Sequence, residues 1–280
     1  MAMIPKAVVL GLMATASVAL LPNGAMAAKL DDVLARGKLV VGTGSTNPPW
    51  HFKDASDTLQ GFDVDMAKII AKALFGDAKK VEFVNQSSDA RIPNITTGKV
   101  DITCQFMTVT GERAQQVNFT IPYYREGVGL MLKEGGQYAD YAALKAAGSS
   151  ATIAVLQNVY AKELVHKALP KASVDQYESQ DLLYQALQSG RADAAATDQS
   201  SIAWYVTQNP GQYKDAGYGW SPQTYACAVA KGDQDWLNFV NTALHEAMTG
   251  VEFDTYAASF KKWFGKDLPP PAIGFPVEFK

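Results

Sequence analysis

Residues 61–74 read GFDVDMAKIIAKAL, and this stretch decides the fold. Met66, Ile69, Ile70, Ala73 and Leu74 recur at i, i+3 and i+4, the spacing of a helix that buries one face. Before it, residues 38–42 (KLVVG) form an apolar strand with a glycine exit. After it come a strand over 81–84, a helix over 92–97 that stops before Gly98, and a strand over 100–104. Strands alternating with helices of this length predict a mostly parallel sheet covered on both faces.

A second series of the same kind begins after Gly148. It holds a strand over 152–156, then a helix with Ala161, Leu164, Val165, Ala168 and Leu169 on one face. A helix over 182–188, a strand of small residues over 192–197 and a helix over 200–208 follow. The tail then turns helical. Trp236, Phe239, Val240, Ala243, Leu244 and Ala247 share one register, and Phe253, Tyr256, Ala257, Phe260 and Phe264 form a second apolar stripe.

Two α/β series and a returning tail predict two lobes: residues 28–130, residues 131–223, and a segment over 224–280 that rejoins the first lobe. No low-complexity linker separates them, so extended segments near 128–132 and 225–230 are expected to carry the crossings.

Residues 1–27 read as an export signal. Lys6 precedes the apolar run from Ala7 to Leu21, and Ala25-Met26-Ala27 supplies a small-residue cleavage site. The run is shorter than a comfortable membrane span. Export places the chain in an oxidising compartment, where Cys104 and Cys227 either pair or remain buried thiols.

A net charge of -3 with no basic run argues against nucleic acid and charged membrane surfaces as partners. His51, His166 and His245 lie far apart, and no zinc-protease, nucleophile-elbow, P-loop or dinucleotide motif is present, so no cofactor or metal is expected.

The stretches GFDVDMAKIIAKAL, RIPNITTGKVDI, TVTGERAQQVNFTIPYY and KWFGKDLPPP, in this order, resemble the amino-acid-binding family of periplasmic solute-binding proteins that feed ABC importers. SSDARIP, VDITC, YACAVAKGD and KKWFGKDLPPP bring the chain nearest to the glutamate/aspartate-binding members. The resemblance implies an α/β fold of two lobes (type II), two hinge crossings, and a ligand in the cleft between them. It implies a Cys104–Cys227 bridge. The expected partners are a free amino acid and the membrane permease of an importer, with the protein a monomer.

Residue by residue, the resemblance gives Arg113 the α-carboxylate, which a planar guanidinium suits; the alternative is an ion pair with Glu112 or Glu126. It gives Asp198 the ammonium, with the Thr108 hydroxyl and the Phe106 carbonyl. Asp198 also reads as the cap of the next helix. Arg91, beside Ser88, matches the position that reads a side-chain carboxylate; its other reading is a pair with Asp89 or Asp101. Trp50 is either an aromatic wall beside the ligand or core.

Three places depart from the family pattern. Asn158-Val159-Tyr160 stands where relatives carry Gly-Thr-Thr, leaving backbone amides and the Tyr160 phenol to meet the carboxylate. Gly44 and Ser179 stand where acidic-amino-acid binders carry an arginine and a histidine. Acidic amino acids come first as ligands and polar neutral ones next. The rivals are a dehydratase on the same scaffold, with Glu163 or Glu178 as its acid, and a sensor module without a transporter.

Overall fold

The computed structural model describes residues 29–274, so the export signal predicted over 1–27 lies outside the described residues. In chain order the first lobe contains α1 (Lys29–Arg36), β1 (Leu39–Thr43), β2 (Thr46–Asn47), β3 (His51–Lys53), β4 (Leu59–Gln60), α2 (Phe62–Phe75), β5 (Val81–Asn85), α3 (Arg91–Thr96), β6 (Ile102–Thr103), α4 (Gly111–Ala114) and β7 (Asn118–Phe119). The chain crosses on β8 (Tyr124–Lys133) into α5 (Tyr141–Ala147), β9 (Thr152–Leu156), α6 (Ala161–Ala168), β10 (Ser173–Tyr177), α7 (Gln180–Gln188), β11 (Ala194–Asp198), α8 (Gln199–Gln208) and β12 (Tyr213–Asp215). It returns along β13 (Trp220–Tyr225) to β14 (Ala228–Val229), α9 (Gln234–Thr249) and α10 (Phe253–Phe264).

The first sheet runs β5-β1-β6-β14-β7, and the second runs β10-β9-β11-β8-β12 with β13 also on β8. The αβ repeats supply the parallel pairs, β1 with β5 and β6, and β9 with β10 and β11. The crossing and returning strands pair antiparallel: β8 with β11, β12 and β13, and β14 with β6 and β7. Both sheets are therefore mixed, because a chain that leaves a lobe and comes back must run both ways through it. β8 and β13 are the two crossings, joined from Trp220 opposite Val128 to Tyr225 opposite Tyr124.

Alternation along the buried strands divides the cores. In the second lobe Leu130, Leu132, Ile153, Val155, Ala194 and Ala196 face α5 and α6, while Met131, Ala154 and Ala195 face α7 and α8. The alanines of β11 suit a strand covered on both sides, where small side chains let the helices come close. In the first lobe Leu39, Val41 and Ile102 face α2, α9 and α10 around fully buried Trp50, Phe62 and Trp236. Cys104, just after β6, is bonded to Cys227, just before β14, so the bridge stitches the returning segment into the first sheet.

Candidate functional site

A cavity of about 680 Å³ lies between the lobes, bounded by the carboxyl ends of strands and the loops that follow them. Open α/β sheets place their ligand sites there, and the volume suits a small molecule. Ser88, Arg91, Phe106, Thr108 and Arg113 reach it from the first lobe, and Asn158, Tyr160 and Asp198 from the second.

Arg91 sits at the start of α3 and is 4 % exposed. Its Nε donates to the Ser88 carbonyl at 2.7 Å and Nη1 to the Gln105 carbonyl at 3.1 Å, while the guanidinium lies over the Phe106 ring. It pairs with neither sequence candidate. Asp101 is taken by Arg36 and Lys29 and accepts the Val40 amide, and no Asp89 carboxylate lies within ion-pair distance among the described residues. Burial, and then the neighbouring Arg113, pull Arg91 down to about 9, so it stays charged at neutral pH.

Arg113 is 8 % exposed, at the end of the short helix α4, which Thr110 caps by accepting the Arg113 amide. Its Nη1 donates to the Thr108 carbonyl at 2.9 Å, and burial lowers its pKa as well. It makes no ion pair with Glu112 or Glu126. The Tyr160 ring covers it from the other lobe at 5.4 Å.

Phe106 adopts φ +33°, a left-handed conformation that costs a non-glycine residue about 1 kcal/mol or more. Asp63, fully buried, holds it there by accepting the Phe106 amide at 2.9 Å. Asp63 also accepts the Tyr123 hydroxyl and contacts His51, whose ring stacks on Phe106 and whose pKa burial lowers. The Thr108 hydroxyl donates to Gln223 at 3.0 Å.

Asp198 ends β11 at the N-cap position of α8, yet its side chain makes no capping bond. Oδ1 accepts the Tyr225 hydroxyl at 2.6 Å, and Oδ2 is buried without a partner among the described residues. Burial first, then Glu126, raise its pKa well above the ordinary carboxylate range.

Three expectations change. Trp50 does not line the cavity: it is core, edge-on to Phe62, Tyr124 and Tyr225, with Nε1 donating to Ser200 at 3.1 Å. Ser179 also stays outside and caps α7 by accepting the Leu182 amide. The 158–160 amides are not all open, since Tyr160 donates to the Asn158 side chain and Asn158 to Gln176. At Gly44 an added Cβ would stand 2.7 Å from the His51 ring, so the arginine of the acidic binders has no room without moving His51.

Sequence reading missed three groups. Asn47 reaches the cavity with a buried Oδ1 that has no partner among the described residues. Gln180 reaches it beside Thr197, to which it donates. Tyr225 orients Asp198 from the returning strand. An asparagine before two prolines was the one local sign; the others depend on long-range pairing. Glu163 lines the cavity but is largely exposed and paired with Lys167, and Glu178 does not line it.

The model of the bacterial extracellular solute-binding proteins, family 3, matches residues 39–266. The chain belongs to that family. As a family 3 solute-binding protein it is 29 % identical to the ABC transporter glutamine-binding protein of Bacillus subtilis, over 82 % of each chain. It is 25 % identical to the glutamate/aspartate import solute-binding protein of Escherichia coli, over 98 % of this chain and 92 % of that one. The crystal structure of an ancestral amino acid-binding protein, a precursor of cyclohexadienyl dehydratase, superposes with a TM-score of 0.75 at 33 % identity, covering 84 % of this chain and 99 % of the other. The fold is the two-lobe α/β arrangement of periplasmic amino-acid-binding proteins.

Proposed function

We propose that this solute-binding protein is exported to the periplasm, captures a free amino acid with an acidic side chain between its lobes, and presents the closed complex to an importer permease. Arg113 takes the α-carboxylate, and Asp198, with the Thr108 hydroxyl and the Phe106 carbonyl, takes the ammonium. Arg91, with Ser88, takes the side-chain carboxylate. The observation that carries the reading is that Arg91 and Arg113 are buried toward one cavity with no carboxylate paired to either among the described residues. Burial lowers both cations and Arg113 lowers Arg91 further, and an anion relieves them, which in a poorly hydrated cleft is worth several kcal/mol. Glutamate or aspartate brings the two carboxylates that two guanidinium groups call for.

A thermal-shift screen of the common amino acids tests this. Ligand at about a thousand times Kd stabilises the folded state by about 4 kcal/mol, so glutamate or aspartate should give the largest shift. Arg91→Met should remove the preference for the acid over its amide. A neutral winner in the unmutated protein favours the second reading, in which the unpartnered Asn47 carbonyl oxygen accepts from a side-chain amide.

A further inference from the structure

Glu126 lies on β8, outside the cavity wall, with 6 % of its surface exposed. Asp198 on β11 stands opposite Val128, which puts Glu126 diagonally beside it on the same face of the sheet. Two carboxylates are thus buried as neighbours at the hinge, and no cation forms an ion pair with either among the described residues. Their partners are unequal. Glu126 accepts the Gly127 amide at 2.8 Å and the Ser200 hydroxyl at 2.5 Å, and Ser200 is in turn held by Trp50. Asp198 has Tyr225 alone and an orphaned Oδ2.

We propose that Glu126 is a positioning residue of the amino-acid site: it holds one proton on Asp198 in the empty protein, and the ligand ammonium expels that proton as it docks. The inference rests on Asp198 being the ammonium partner. Two adjacent buried carboxylates cannot both ionise cheaply, and the one with more hydrogen-bond donors keeps the charge. Here that is Glu126, so the proton sits on Asp198 Oδ2. When the ligand arrives, its –NH3+ donates to Asp198, the Oδ2–H bond breaks, and the proton leaves to solvent; the complex gains the ligand and loses one H+.

The groups facing Asp198 are few. From β8 come Glu126 and Tyr124, from β13 Tyr225, from α7 Tyr184, from α2 Asp63 and from α3 Arg91. The tyrosines are all pushed upward by burial and stay neutral. Arg91 opposes protonation, whereas Asp63 and Glu126 favour it, with Glu126 the larger.

Carbon-13 NMR of ligand-free protein labelled at the Asp and Glu carboxyls tests the proposal without any ligand. One carboxyl should remain protonated at pH 7, and Glu126→Gln should lower its titration midpoint while burial keeps it above the ordinary range. Calorimetry with L-glutamate, L-aspartate and L-glutamine in buffers of different ionisation heat should then show release of about one proton, and affinity tightening about tenfold per pH unit. In Glu126→Gln that slope should flatten even where affinity persists. A spectrum with every carboxyl titrating below about pH 5.5 overturns the proposal, as does a raised carboxyl whose midpoint is unchanged in Glu126→Gln. Absence of heat with all three amino acids overturns the functional reading, while the NMR titration still decides the protonation.

Discussion

The two lobes contribute to one cavity in different ways. In the first lobe the two cavity-facing guanidinium groups are tied to backbone carbonyls, Arg91 to those of Ser88 and Gln105 and Arg113 to that of Thr108, while buried Asp63 holds the Phe106 amide. A disulfide closes the sheet behind them. In the second lobe Asp198 has one partner among the described residues and an oxygen with none, and Val159 in the 158–160 loop is 81 % exposed. Preorganised donors lose little freedom when an anion docks. On the proposed reading the first lobe receives the anion, and the second is the part that adjusts on closure.

The sharpest way to break this contrast is Arg113→Ala. Stranding a ligand carboxylate in the cleft should cost about 2–5 kcal/mol of binding by calorimetry, with the fold unchanged because Arg113 packs in no core cluster. Retention within about tenfold would remove Arg113 from the carboxylate site.

Cys227→Ser tests where the rigidity comes from. Opening a bridge between residues 123 apart should lower stability by about 2–5 kcal/mol in denaturant unfolding. Hydrogen exchange should rise around β6 and β14 first, and an equal rise in β9 to β11 would show that the lobes are not separately braced.

The carboxylate pair predicts an unusual pH dependence. Glu126 and Asp198 have folded pKa values above their unfolded ones, so the folded state binds more protons once pH exceeds the ordinary carboxylate range near about 4. Stability of the empty protein therefore falls as pH rises from there through the raised values, by up to about 1.4 kcal/mol per unit for one proton. His51 acts oppositely. Its lowered pKa means that stability is lost as pH falls below about 6.5. Urea unfolding across pH 5 to 8, with Glu126→Gln as the reference, isolates the pair; identical slopes in both proteins would refute it.

The smallest effect is expected at Tyr160→Ala. A half-exposed ring over Arg113 contributes about 0.5–1 kcal/mol, a two- to fivefold loss of affinity. A hundredfold loss would make the second lobe an equal partner in holding the carboxylate.

Most of the architecture was readable because it rests on periodicity. β9 occupies the predicted residues 152–156, and α8 begins one residue before the predicted 200. The third strand shortened to Ile102–Thr103, since Val100 bonds back to Asn94 instead of joining the ladder. The mostly parallel sheet expected from the αβ repeats holds for those repeats, but the crossing and returning strands pair antiparallel, because a local pattern says nothing of strand direction. At the site the residue types were visible, but Trp50 went to the core and Ser179 to a helix cap, both permitted by the same local sequence.

The chain's own order of residues determined two α/β lobes, a returning helical tail and the set of candidate charges. Only the tertiary structure decided what those charges do. Asp101 could have neutralised Arg91, but Arg36 and Lys29 arrive from α1 and its neighbourhood and occupy it. Asp198 could have capped α8, but Tyr225, 27 residues on, comes across the hinge and takes its oxygen. Hydrophobic period is a local property of helices and strands, whereas the partner of a buried charge is whichever group the fold brings within 3 Å or so.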